Sequence, residues 1–121
     1  FSALVVKRVG QEFQLLQLTC KDADKANQPT SKLLATLKPT SADTNGYQEA
    51  IHEAIYMRMK VYDGKLQFAY STDGKHYTNV GDVFTMREGK WIGAKIGLVA
   101  AEPQGTNPCG WIDADWFRIT R

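Results

Sequence analysis

The sequence is poor in the side chains that build metal centres and nucleophilic sites. Its 121 residues include only two cysteines, Cys20 and Cys109, and two histidines, His52 and His76. The cysteines do not have the CxxC spacing of a zinc site, and no GxSxG segment marks a nucleophilic serine. The histidines have no ligand spacing to each other, and His76 falls in an expected hairpin tip. The sequence therefore predicts no resident cofactor.

The two cysteines leave one structural question open. Cys20 and Cys109 are far apart in the chain, and a disulfide between them requires that the fold bring their Cα atoms within bonding reach. Two isolated cysteines more often stay free, so the sequence favours free thiols without excluding one bridge.

The chain also lacks an excess of one charge and any long apolar run. There are 15 Lys and Arg residues against 13 Asp and Glu residues, a formal net charge of +2. Proteins that grip nucleic-acid phosphates normally need a concentrated basic face. No apolar run approaches the ~20 residues that cross a bilayer, and no basic start followed by an apolar stretch marks a signal peptide. We therefore expect neither a nucleic-acid partner nor a membrane partner.

The start of the chain indicates a fragment. The first residue is Phe1, and it leads directly into the apolar, strand-like run Ser2 to Val6. A native start inside a strand is unusual. We therefore expect residues 1–121 to be a single domain cut from a larger polypeptide.

Apolar and polar residues alternate with a period of two through much of the chain. Residues 55–62 alternate in this way, Asp63-Gly64 supplies the two positive-φ positions of a type I′ turn, and the chain returns through residues 66–70. A second pair, Asp73-Gly74, is expected to end that strand in the same way. Such a pattern predicts an antiparallel meander.

Further strands are expected on the same grounds. Residues 3–8 and 13–19 flank a short connection containing Gly10, and residues 91–100 and 111–119 also alternate. Gly93 and Gly97 share one face of the third of these strands, which suggests close packing there or a bend. Residues 21–32 and 38–46 are polar loops, and residues 47–56 allow at most one helical turn. The fold class predicted is all-β, an antiparallel sandwich or jelly roll.

Two carboxylates are candidates for chemistry. Asp113 and Asp115 are two positions apart, so on a strand both side chains project from the same face. Such a pair can act as acid and base on a glycosidic bond, or can supply oxygen ligands to a structural Ca²⁺. The plain alternative is a solvated edge-strand face. Glucanases built on jelly rolls carry Glu-x-Asp-x-x-Glu on one strand, and no glutamate stands at either end here, which is evidence against an enzyme.

Aromatic residues are the candidates for binding a sugar. Trp91, Trp111 and Tyr77 could each present a flat ring to the C–H face of a sugar. Packing in the core is the competing interpretation, and it is the expected one for Phe68 and Tyr70.

Three segments together resemble a known domain. They are residues 70–75 (YSTDGK), 87–97 (REGKWIGAKIG) and 113–119 (DADWFRI). In this order and spacing they resemble the C-terminal concanavalin A-like β-sandwich of family 43 glycoside hydrolases, the β-xylosidases and α-L-arabinofuranosidases. The likeness covers essentially the whole chain, although the N-terminal portion of the family's domain is absent. The chain is accordingly similar to a truncated copy.

The resemblance implies a role without a catalytic residue. In that family the catalytic acids lie in a separate five-bladed propeller, and the sandwich packs on it. The expected function is thus a non-catalytic accessory domain of a xylan- or arabinan-degrading enzyme, with the propeller and plant oligosaccharides as partners. An autonomous carbohydrate-binding module and an enzyme using Asp113 and Asp115 are the alternatives. A periplasmic or extracellular location is favoured by the resemblance alone, and would suit a disulfide.

Overall fold

The structure is a computed structural model that describes residues 1–37, 54–88, 93–101 and 112–120. The chain divides into two compact units, Phe1–Arg87 and Glu88–Arg121. All regular strands of the described residues lie in the first unit. The interpretation of residues 1–121 as one domain stays a prediction.

The first sheet contains β1 (Ser2–Val9), β2 (Glu12–Thr19) and β3 (Thr30–Leu37). All neighbours are antiparallel, with β2 in the centre. The two-residue link between β1 and β2 includes Gly10 at φ 61°, a conformation that glycine adopts without steric cost. A single 3₁₀ turn, Ala23–Lys25, lies between β2 and β3.

The second sheet contains β4 (Tyr56–Tyr62), β5 (Lys65–Ser71) and β6 (Thr78–Thr85), again antiparallel and in chain order. Asp63 and Gly64 join β4 to β5 with φ values of 45° and 69°. Two consecutive positive φ angles define the type I′ turn, whose twist matches that of the strands it connects. The predicted hairpin is therefore confirmed, and so is the all-β antiparallel class.

Several sequence predictions of local structure were wrong. Residues 93–101 and 112–120 form no strand, although residues 91–100 and 111–119 alternate. Alternation makes a segment suitable for a sheet, but a strand also needs a second backbone to pair with, and the described residues provide none for these segments. An added Cβ on Gly93 or Gly97 would meet nothing within 4 Å, so no close packing is present there.

The polar segments also differ from expectation. The loop predicted at 21–32 contains the 3₁₀ turn, and β3 already begins at Thr30. At the second Asp-Gly pair only Gly74 has a positive φ, at 71°, because the Asp73 side chain organises a longer loop there. The loop predicted at 38–46 and most of the helical turn predicted at 47–56 lie outside the described residues. Tyr56 belongs to β4.

Two bulges interrupt the ladders. In β3, the partners of Leu15 and Leu16 are Ala35 and Leu33, so Leu34 is an extra residue. In β6, the partners of Leu66 and Phe68 are Phe84 and Val80, so residues 81–83 all stand opposite Gln67. Bulges bend a strand and redirect its side chains. Both lie on strands that contact each other, β3 and β6, and thus shape the junction between the two sheets.

The buried core is small and centres on the middle strand of each sheet. Its apolar members are Leu15, Cys20, Leu66, Phe68 and Ala69. Leu15 is fully buried, and Phe68 is in the core as predicted. Tyr70, predicted to pack inside as well, is half-buried.

Candidate functional site

A polar groove lies between the first sheet and β6, and we refer to it as the β3–β6 groove. It has a volume of about 400 Å³. Its lining includes Thr19, Thr30 and Thr85 together with Lys32 and Asp82. This concave surface, set where β6 approaches the first sheet, is a candidate binding site.

One side of the groove is a polar block on an otherwise apolar sheet face. In the register of β2 and β3, Gln17 pairs with Lys32 and Thr19 pairs with Thr30. Directly paired residues share a face, as do residues two apart on one strand. On that face the fully buried Leu15 precedes Gln17. The face therefore changes from apolar to polar along β2, at the place where β6 approaches it.

Gln17 fixes the opposite side of the groove. Its side chain is 3% exposed. Its Oε1 accepts a hydrogen bond from the Asp82 backbone N–H at 2.7 Å, and its Nε2 donates to the Asp82 carbonyl at 2.9 Å. Nε2 also donates to the Ser2 hydroxyl at 3.1 Å. One amide thus satisfies both backbone groups of the residue at the middle of the β6 bulge.

A second glutamine completes the support of the bulge. Gln67 Nε2 donates to the Val80 carbonyl at 2.8 Å and to the Phe68 carbonyl at 3.1 Å. The bulge backbone, which cannot pair with β5, is therefore bonded to side chains of β2 and β5 instead.

Sequence reasoning did not single out Gln17, Lys32 or Asp82. The available signal was on β2, where the alternating set Phe13, Leu15 and Gln17 places an amide in apolar company. A polar side chain on a buried face must find hydrogen-bond partners. The sequence does not say that those partners belong to Asp82.

Two ion pairs join the first sheet to β6 and the residues after it, one from β3 and one from the β2–β3 connection. Lys32 Nζ lies 2.7 Å from Asp82 Oδ1. Arg87 Nη2, two residues beyond Thr85, donates to Asp22 Oδ1. The groove lining extends along β6 from Asp82 to Thr85. In chain order the two pairs therefore bracket the β6 wall of the groove.

The Asp22 carboxyl is held in its charged form. The hydrogen bond from Arg87 is the main cause that places the pKa of Asp22 below its ordinary value, and the positive charges of Arg87, Lys25 and Lys21 act in the same direction. Partial desolvation opposes them. The pair is solvent-exposed, so its contribution is mainly to position the two segments rather than to stabilise the fold.

The loop between β5 and β6 is organised by one carboxylate. Asp73 Oδ1 accepts hydrogen bonds from the backbone N–H groups of Lys75 and His76, each at 2.8 Å, and from the Ser71 hydroxyl at 2.7 Å. Asp73 Oδ2 lies 2.7 Å from His76 Nδ1. His76 is exposed, as its expected position at a hairpin tip suggested, but it also has the partner that sequence reasoning did not find.

We expect His76 and Asp73 to titrate as a coupled pair. The Asp73 hydrogen bond raises the pKa of His76 above its ordinary value of 6.5. The His76 ring, the N–H groups of His76 and Lys75, and the Ser71 hydroxyl hold the pKa of Asp73 well below 3.8. The His76 contribution to stability is full below pH 6.5 and is lost as pH rises through the raised pKa. The Asp73 contribution is full above pH 3.8 and is lost as pH falls through the lowered pKa.

An NMR pH titration of the His76 ring protons tests this coupling. Asp73→Asn should move the His76 pKa down toward 6.5, whereas Asp63→Asn, in the β4–β5 turn, should leave it unchanged. An identical His76 titration curve in Asp73→Asn would show that the pair does not form.

The sugar-stacking candidate Tyr77 has one ring face covered. The Arg58 guanidinium carbon lies 3.5 Å from the centroid of the Tyr77 ring, and Tyr77 is half-buried. This is a cation–π contact at close range. A sugar could stack only on the other face of the ring. The role of Tyr77 in binding a sugar stays a prediction.

The remaining candidates fall outside the groove. Trp91 and Trp111 lie outside the described residues. Asp113 and Asp115 are exposed in a segment without strand structure, so the shared strand face expected for their carboxylates is absent. Among the described residues, no three His, Cys, Asp or Glu side chains cluster as metal ligands would.

Cys20 is a buried, free thiol, 2% exposed. Its Sγ donates to the Asn27 carbonyl at 3.1 Å, and the Phe1 nitrogen donates to the Cys20 carbonyl at 2.7 Å. Cys109 lies outside the described residues.

Large apolar side chains are exposed in the second unit. They are Ile96, Leu98, Val99, Ile112, Trp116, Phe117 and Ile119. Val99 is 85% exposed and Ile119 is 74% exposed. Single exposed apolar residues are ordinary, but residues 93–101 and 112–120 hold seven of them, which the described part of the chain leaves uncovered. In the portions that the structure describes, no helix has the length and apolar character to span a bilayer.

Comparison with known proteins identifies the family. Residues 1–120 match the family model of the β-xylosidase C-terminal concanavalin A-like domain. The chain belongs to this family. The concanavalin A-like class expected from residues 70–75, 87–97 and 113–119 is thereby confirmed.

A curated relative agrees with the family assignment. The chain is 30% identical over 110 residues to a protein named β-xylosidase from Formosa agariphila. The alignment includes 91% of this chain but 17% of the relative, so the chain spans less than a fifth of that protein's length. No solved structure matches the chain.

Proposed function

We propose that this chain is a non-catalytic accessory domain that packs on the catalytic propeller of a xylan- or arabinan-degrading glycoside hydrolase and shapes one rim of its substrate pocket. Membership of a family of β-xylosidase C-terminal domains supports the enzyme context. The proposal further commits to a physical partner, the catalytic part of the same enzyme.

The exposed apolar residues of the second unit are the observation that carries the proposal. Burial of apolar surface contributes about 25 cal/mol per Å², and side chains such as Leu98, Phe117 and Ile119 leave that contribution unused when they face water. Interfaces between domains of one chain are typically of moderate size and include such apolar patches. A catalytic domain that covers residues 93–101 and 112–120 would bury them.

The arrangement of the acids supports a non-catalytic role. A glycosidase needs two carboxyl groups held on opposite sides of one bond at a defined separation. Asp113 and Asp115 are exposed on a segment without a strand to fix their spacing. Asp82 and Asp22 are each engaged in an ion pair. The hydrolytic chemistry is therefore assigned to the catalytic part of the enzyme.

Co-expression tests the docking proposal. When the catalytic part of the parent enzyme carries an affinity tag, it should capture this chain in an equimolar complex. Leu98→Asp and Phe117→Asp should each reduce the captured amount at least tenfold, because a charge placed in an apolar interface loses its hydration.

Val9→Asp is the matched control, since Val9 is also exposed but lies at the end of β1 in the first unit. Its capture should equal that of the wild type. Equal capture of the Leu98, Phe117 and Val9 variants would rule out residues 93–101 and 112–120 as the docking surface.

A further inference from the structure

We propose that the β3–β6 groove is a binding site for a neutral oligosaccharide. The site is distinct from the exposed aromatics considered above, and it belongs to the first unit rather than to the docking segments. The identity of the sugar class rests on the proposed function. The groove itself is argued from its own residues.

Its size and shape suit a short oligosaccharide. Sites for small molecules are concave and typically of ~300–1,000 Å³, and this groove, at about 400 Å³, falls within that range. It is bounded by strands on both walls, which hold side chains more rigidly than loops do.

The chemistry of the lining matches that of a sugar. Thr19, Thr30 and Thr85 line the groove, and a hydroxyl can both donate and accept hydrogen bonds, as sugar hydroxyls do. The Thr30 hydroxyl already donates to the Thr19 carbonyl at 3.2 Å, so it is left as an acceptor for a ligand. Phe84 and Val83 supply an apolar component, against which the C–H face of a sugar ring can pack. Hydroxyl groups interspersed with a small apolar surface are suited to a polyol rather than to an apolar ligand.

The charged side chains of the groove lining are Lys21, Lys32 and Asp82. Lys32 is bonded to Asp82 at 2.7 Å, with side chains 55% and 75% exposed, so both can still reach a ligand. Lys32 offers further N–H donors, and Asp82 offers further acceptor lone pairs. Lys21 is the remaining charged residue of the lining, and Asp22 beside it is paired with Arg87. Because Asp82 offsets the charge of Lys32, a single positive charge is left in the lining rather than the concentrated basic surface that attracts an anion, and a neutral ligand fits the groove.

The wall of the groove on β6 contains a bulge whose backbone is fixed by hydrogen bonds. The bulge at residues 81–83 turns Asp82 toward Lys32, and the nearly buried Gln17 holds the Asp82 backbone at both its N–H and its carbonyl. Bulges occur preferentially beside functional sites, where they redirect a side chain. The pre-set position of Asp82 would reduce the ordering cost of binding.

The test is an NMR titration of the ¹⁵N-labelled 121-residue chain with xylotetraose and, separately, arabinotetraose. We expect saturable amide shifts centred on Thr19, Thr30, Lys32 and Thr85, with a millimolar to micromolar Kd. Lys32→Met and Thr85→Val should raise the Kd by roughly five- to tenfold, the effect of losing one or two hydrogen bonds.

Matched controls are available on the exposed surface. Lys60→Met on β4 and Thr72→Val in the β5–β6 loop remove the same groups away from the groove, and should leave the Kd unchanged. Inorganic phosphate at the same concentration should not reproduce the shifts, since an anion site would respond to it.

Four results would overturn the proposal. These are the absence of saturable shifts with either sugar, shifts centred on Tyr77 or on residues 93–101 and 112–120, equal shifts with phosphate, and a spectrum without the dispersed signals of folded strands. The capture assay for docking uses different residues. Loss of sugar binding with intact capture would therefore reject the groove alone, and the reverse would reject docking alone.

Discussion

Gln17→Met is expected to lower the free energy of unfolding by about 3 kcal/mol. Methionine has a similar length but can neither donate to the Asp82 carbonyl nor accept from the Asp82 N–H, so both bulge groups lose their partner. The Ser2 hydroxyl loses its hydrogen bond from Gln17 as well. Since small domains are stable by only about 5–15 kcal/mol, this is a large share of the total. Urea denaturation followed by circular dichroism measures it.

Gln14→Met is the matched control. Gln14 lies on the opposite face of β2, is half-buried, and within the described residues its side chain has no hydrogen bond. Its substitution should change the free energy of unfolding by less than about 0.5 kcal/mol. If the Gln17 and Gln14 variants are equally stable, Gln17 does not hold β6 against the first sheet.

Gly81→Ala is expected to be the second severe change, at about 3 kcal/mol. Gly81 has φ 74°, where any Cβ adds about 1–2 kcal/mol of strain. An added Cβ would also collide with Gln17 Oε1. A flexible side-chain end can usually move aside at little cost, but this oxygen accepts the Asp82 N–H, so its displacement breaks the support of the bulge.

Gly10→Ala is the control that separates the cost of backbone strain from the cost of the collision with Gln17. Gly10 has a similar φ, 61°, and an added Cβ there would meet nothing within 4 Å. It should therefore cost only the strain of about 1–2 kcal/mol. The difference between the two variants measures the contact with Gln17. A Gly81 variant no less stable than the Gly10 variant would contradict the described packing of Gln17 against the bulge.

Local turn chemistry made much of the first unit predictable. Asp63-Gly64 between two alternating segments specifies a hairpin without help from the rest of the chain, and the connection containing Gly10 behaves similarly. These features depend on residues close in sequence.

The features that depend on distant residues were not predictable. The β6 bulge is stable because Gln17, 65 positions away, bonds to Asp82. The groove, the Lys32–Asp82 pair and the Arg87–Asp22 pair all arise from the same distant approach of β6 to the first sheet. In the sequence each of these residues is an ordinary polar side chain.

In the second unit the sequence pattern predicted strands that the structure does not contain in residues 93–101 and 112–120. Residues 93–101 and 112–120 have the pattern of strands, yet they remain unpaired and expose Leu98 and Ile119. An alternating pattern predicts which face of a strand would be buried. It does not show whether a second strand is present to form backbone hydrogen bonds with the first. Their apolar side chains are therefore left uncovered by the residues that the structure describes.

The most direct test of this account is whether the wild-type chain binds the catalytic part of its parent enzyme and changes the activity of that part. We expect a one-to-one complex on co-expression, with a higher kcat/KM for xylo- or arabino-oligosaccharides than the catalytic part has alone, because the chain would complete the pocket rim. A catalytic part that stays unbound and is equally active without this chain would contradict the assignment of an accessory packing domain.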